Sequence, residues 1–136
     1  MTRCILPLLL LPFSAFADDR PTITGPEFKS YSEGFTLHFE DEEGRYFGSE
    51  QYFADGKTLW RPRNGECEHG VWAEDQGRIC FLYIVGIACW KLYFEDEGLS
   101  AQSANGANGE TDENPTRLRL RDRNQIPVIC EDPPSV

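Results

Sequence analysis

The residues of this chain best suited to chemistry are the four cysteines of its body, two histidines and a large excess of carboxylates. Cys67, Cys80, Cys89 and Cys130 show no Cys-x-x-Cys spacing, which argues against a metal cluster or thiol redox catalysis. Cys80 and Cys89 flank the apolar run Phe81–Ala88, which contains Gly86. A four-residue turn over Tyr83–Gly86 sets them opposite one another on antiparallel strands, about 4.5–5.5 Å apart at Cα and within disulfide range. Cys67 and Cys130 are then left to pair. Their bridge closes a loop of more than sixty residues, for which chain entropy alone gives roughly 4 kcal/mol.

The remaining reactive types are less specific. His38 stands near Glu40 and Asp41, and His69 near Glu66 and Glu68, but neither belongs to an H-x-x-x-H or H-E-x-x-H pattern. Both read as surface residues. No G-x-S-x-G elbow supports a nucleophilic serine. The 23 acidic residues make close carboxylate pairs common by chance, and the run Glu40–Glu43 reads as a solvated turn. The acidic stretch Asn105–Asn114 lacks the order of a calcium loop. The sequence therefore points to no catalytic, metal-binding or cofactor-binding residue, and to a protein that is not an enzyme.

Two further sets have binding chemistry. Arg117, Arg119 and Arg121 alternate along one strand. They read either as an anion-binding ladder or as partners for acids on a neighbouring strand. Trp60, Trp72 and Trp90 fall on three strands that pair into a meander. They fill a core or line a cavity in the mouth of a small barrel.

These residues need a scaffold, and the chain is short. Residues 1–17, MTRCILPLLLLPFSAFA, have one cation at Arg3, an apolar run from Ile5 to Phe13, and small residues at Ala15 and Ala17. This is the pattern of a secretory signal peptide cleaved after Ala17. Cys4 leaves with it, and four cysteines remain, an even number suited to an oxidising compartment. The expected mature chain is one domain, and its net charge moves from −10 to −11 with the loss of Arg3. This balance opposes electrostatic nucleic-acid binding. No second apolar stretch has transmembrane length.

Along the mature chain, residues 18–24 read as a flexible leader and 25–130 as a single β-rich domain. Thr24, Pro26 and Glu27 open a helix of about two turns with a capping box. Phe28 and Tyr31 form its apolar stripe, and Gly34 ends it. Short alternating runs follow from Phe35, broken by turn residues every 8–12 positions. Residues 104–115 read as a mobile loop, 116–121 and 125–130 as the last strands, and 131–136 as a tail. The fold class is mainly β: an antiparallel meander forming a small barrel or two packed sheets, with one short N-terminal helix.

The segments Gly25-Pro26-Glu27-Phe28, Tyr46-Phe47-Gly48, Gly65-Glu66-Cys67, Gly70-Val71-Trp72 and Ile79-Cys80-Phe81-Leu82-Tyr83 resemble a group of small exported hypothetical proteins of marine alphaproteobacteria. The core G-E-C…G-x-W…I-C-F-x-Y carries most of the likeness. The resemblance implies a periplasmic location and four structural cysteines; it implies no activity.

The expected function is that of a periplasmic or secreted, disulfide-stabilised binding or accessory protein of the cell envelope. Its partner would be an envelope protein or envelope component. A lipocalin-like carrier of a small apolar ligand is the alternative, and it requires an internal cavity lined by the tryptophans. A small hydrolase using carboxylates or His38 comes third.

Overall fold

The computed structural model describes residues 20–130. The signal peptide expected over 1–17, the start of the leader and the tail 131–136 lie outside the described residues. A helix, α1 (Gly25–Ser32), precedes eight strands: β1 (Thr36–Asp41), β2 (Tyr46–Tyr52), β3 (Lys57–Pro62), β4 (Glu68–Asp75), β5 (Arg78–Tyr83), β6 (Gly86–Glu95), β7 (Gly98–Ser103) and β8 (Arg117–Asn124). Each strand pairs antiparallel with its neighbour in sequence, and β8 returns to β1 to close a barrel. Of the two architectures the alternation allows, the chain adopts the closed one, which leaves no free sheet edge.

The up-and-down path gives the barrel two unlike ends. One end carries the β2–β3, β4–β5 and β6–β7 turns and is plugged by α1. Thr24 caps the helix by accepting from the Glu27 amide at 3.3 Å, and Glu27 Oε1 accepts from the Thr24 amide at 3.0 Å. Phe28 drives into the barrel and meets the rings of Tyr52, Trp72 and Phe81 edge-on, with centroids 5.0–6.4 Å apart. Leu37, Ile79 and Leu99 complete this fully buried layer. The other end carries the β1–β2, β3–β4, β5–β6 and β7–β8 connections.

Residues 125–130 do not form the expected ninth strand. Pro127 has no amide to give a ladder, and the segment runs as an extended strap over the outer wall. There Thr36 Oγ1 donates to the Ile126 carbonyl at 2.7 Å and the Val128 amide donates to Gln51 Oε1 at 2.9 Å. The strap ends in the Cys67–Cys130 disulfide. The second bridge, Cys80–Cys89, joins directly paired positions of β5 and β6 across a turn whose only unpaired residues are Ile84 and Val85.

The segment after β7 lies against the outside of the β5–β6 hairpin. Arg78 Nη1 donates to the carbonyls of Ala104 and Gly106 at 2.6 and 3.0 Å, and Asn105 Oδ1 accepts from the Cys89 amide at 2.8 Å. At the other terminus, Ile23 of the leader is buried and its amide donates to Leu92 at 2.8 Å.

The two bridges close loops of very different length, with separations of 63 and 9 residues. Removing the longer one by C67S/C130S is expected to cost about 4 kcal/mol, against about 3 kcal/mol for C80S/C89S, if the unfolded chain behaves as a free polymer. Urea unfolding of both variants checks the order.

Candidate functional site

The inner wall of the barrel is not filled. A cavity of about 420 Å³ runs from Phe28 of α1 towards the end opposite the helix, where the exposed Arg63 and Asn64 of the β3–β4 turn form its rim. Small inward residues make the room. Ala88 on β6 and Ala101 on β7 leave space at the wall. Gly48 and Gly70 let large rings lie flat across the strands: a Cβ at Gly48 would overlap the Trp60 indole, and one at Gly70 would overlap the Tyr83 ring.

Aromatic side chains dominate the lining, including Phe47, Tyr52, Trp60, Phe81, Tyr83 and Trp90. Two of the three tryptophans singled out from the sequence therefore face the cavity. Trp72 is half-buried and packs against Phe28 at the plugged end.

A single carboxyl interrupts this surface. Glu50 on β2 is directly opposite Leu37 of β1 and Trp60 of β3, and shares their inward direction. It is 2% exposed. Its Oε1 accepts from the Tyr83 hydroxyl at 2.9 Å. Its Oε2 has no hydrogen-bond partner, and neither has Thr58 Oγ1 on the adjacent strand. Loss of water around the carboxyl pushes its pKa up to about 8, and the negative charge of Glu68 adds to the rise. The Tyr83 hydroxyl and the Thr58 hydroxyl, which acts on the carboxyl without closing a hydrogen bond, offset part of it. Burial likewise raises the Tyr52 and Tyr83 phenols.

The sequence gives no direct sign of Glu50. Strict alternation along β2 cannot place it, because the pairing with β1 slips between Phe39 and Glu40 and leaves Phe47 as an extra residue. The bulge turns both Phe47 and the Gly48–Glu50–Tyr52 series inward. The useful signals were the glycines at 48 and 70, since glycine inside a strand marks a close approach.

The arginine stripe lies on the outside. Arg119 and Arg121 reach Glu40 at 3.5 and 3.1 Å, and Arg117 reaches Glu42 at 3.4 Å. His69 is exposed. His38 lies on the outer wall beside a cleft formed with Arg61, Pro62 and the strap. There His38 Nδ1 and the Tyr46 hydroxyl each lie 2.6 Å from Ser49 Oγ. Ser49 is 4% exposed, and His38 Nε2 is buried with no hydrogen-bond partner among the described residues. No group of three or more metal-binding side chains converges among the described residues.

A contiguous apolar strip is exposed. Val71, Leu82 and Ile87 are consecutive cross-strand neighbours on the outer face of β4, β5 and β6, and Ile84 and Val85 continue them at the turn. This strip lies at the same end of the barrel as the cavity rim.

Glu50 couples stability to pH. In the folded chain it holds its proton up to about pH 8, and unfolded it ionises near its usual 4.5. Between these values the folded state binds more protons, so the contribution is fully present below about pH 4.5 and is lost as pH rises through 8. Thermal melts followed by circular dichroism are expected to show the wild type losing a few kcal/mol across this window. E50Q is expected to show a flatter profile.

Comparison with known proteins returned no matching family model, curated protein or solved structure. The site is therefore read from its geometry.

Proposed function

We propose that this protein binds a small, largely apolar molecule inside the barrel and acts as its carrier in the periplasm or outside the cell. The observation that carries this reading is the aromatic cavity of about 420 Å³ with an unpartnered buried carboxyl oxygen on its wall. Ligand pockets have this composition: mostly apolar walls with a few polar groups that fix orientation. An empty apolar interior forfeits contacts that a solid core would make, and a buried polar atom without a partner costs about 1–3 kcal/mol. A ligand with an apolar body and one polar group recovers both.

The one titratable pair of the lining, Glu50 and Tyr83 at 2.9 Å, has both of its groups pushed towards the protonated form by burial. At neutral pH it therefore offers neither a base nor an ionised nucleophile, and the geometry favours binding over catalysis. The neutral fluorophore N-phenyl-1-naphthylamine tests the reading. It is expected to brighten on the wild type and to take energy from Trp60 and Trp90. A88W, which fills the cavity from its wall, is expected to weaken it at least tenfold without changing the circular dichroism spectrum. No enhancement on the wild type rejects the carrier.

The exposed strip Val71–Leu82–Ile87, with Ile84 and Val85, supports a second reading as a contact surface for an envelope component. Cosedimentation with phosphatidylcholine vesicles is expected for the wild type and is expected to fall several-fold in I84S/V85S. Equal pelleting of the two, or none by either, removes a lipid surface as that component.

A further inference from the structure

The cavity has a sign as well as a shape. Glu50, Trp60 and Glu68 are successive cross-strand partners on β2, β3 and β4, so both acids share the inward face with the indole between them. Glu68 acts on both Glu50 and the Tyr83 phenol by its charge. Neither acid has an ion pair or a cationic hydrogen-bond donor among the described residues.

The other groups facing Glu50 are readily named. Tyr52 comes from its own strand, Thr58 and Trp60 from β3, and Tyr83 from β5. Phe28 of α1 and Phe39 of β1 add no titratable group. Arg63, the one cation of the lining, stands on the exposed rim. The Tyr83 hydroxyl occupies Oε1 and leaves Oε2 open. Aromatic faces attract cations through their quadrupoles, more strongly once water is excluded. The chain's net charge of −10 draws cations towards the protein and repels anions.

We propose that the ligand is a small organic ammonium ion, its apolar body held among the Trp60, Phe81 and Trp90 rings and its nitrogen bound by Glu50 Oε2, with Glu68 contributing to the negative field. This assignment rests on the carrier reading and narrows it to one chemical class. Once Glu50 has given up its proton, a carboxylate ligand would meet two negative charges and a neutral ligand would leave their field unused.

Three probes share one body and differ in head group: 2-phenylethylamine, 2-phenylethanol and phenylacetate. Each competes with N-phenyl-1-naphthylamine on the processed wild-type protein. The amine is expected to bind at least tenfold more tightly than the alcohol at pH 8.5, and phenylacetate more weakly than either. Binding an ammonium ion releases the Glu50 proton. Amine affinity is therefore expected to rise by up to tenfold per pH unit from pH 6 and to level near 8, while the amine stays charged, since alkylamines titrate near 10. E50Q is expected to abolish this rise and bring the amine-to-alcohol preference close to one. E68Q is expected to lower amine affinity less.

An alcohol that binds as tightly as the amine at pH 8.5 overturns the proposal. So does an amine affinity that stays flat or falls between pH 6 and 8, which wild-type protein alone decides should E50Q not fold. If the fluorophore binds and none of the three displaces it, the ammonium assignment fails and the carrier reading stands. If the fluorophore does not bind, both fail.

Discussion

Closure of β8 onto β1 is the constraint from which the rest of the molecule follows. Eight strands enclose a space that side chains can just fill or that can hold one small ligand. Here four inward positions are Gly48, Gly70, Ala88 and Ala101, and the space stays open. The seam is marked by charge: Glu40 of β1 sits between Arg119 and Arg121 of β8. Exposed pairs of this kind contribute little stability each, but like charges in a slipped register would be unfavourable. Arg123 extends the seam to the plug. Its guanidinium lies 3.5 Å from the Phe35 ring centroid, and its Nε donates to the Tyr31 carbonyl at 2.9 Å. The strand that closes the barrel thus also seats the helix that seals its end.

Within that frame Glu50 is the costly residue. A carboxyl that served only the fold would be expected to have its hydrogen-bonding capacity met, because half-satisfied buried networks are worse than apolar ones. Tyr83 meets half of it. Thr58, whose hydroxyl also acts on the carboxyl, closes no hydrogen bond of its own. Two orphaned polar atoms on adjacent strands, beside unfilled space, are hard to reconcile with a purely structural role and easy to reconcile with a polar group arriving from outside.

Much of the scaffold was legible in the sequence because local chemistry and global fold agree there. The Thr24–Glu27 capping box, the Phe28 stripe and the period-two runs all point to the elements found, and the closed barrel is one of the two architectures they allow. The strand expected from 116 begins at Arg117 and runs three residues past 121, to Asn124. Legibility ends where tertiary contacts override alternation. The bulge at Phe47 reverses the inward parity of β2 and hides Glu50. The 125–130 segment reads as a short strand, yet Pro127 and the link to Cys67 hold it as a strap. The tryptophans posed a choice between core and cavity that sequence could not decide. Trp72 packs against Phe28, whereas Trp60 and Trp90 line the cavity.

The positions of the disulfides add a final step. Cys80 and Cys89 are themselves buried, Cys80 directly after Ile79 of the packed layer. Cys67 closely follows Arg63 and Asn64 on the rim, and its partner ties that turn to the strap on β2. Cys80 and Cys89 staple the hairpin that supplies Tyr83 and Ala88 to the cavity wall. Both links therefore stiffen the walls around the cavity. A wall ordered before the ligand arrives spares binding the entropy of ordering it. That pre-organisation matters most for a small ligand, whose few contacts leave little surplus to offset loop freezing.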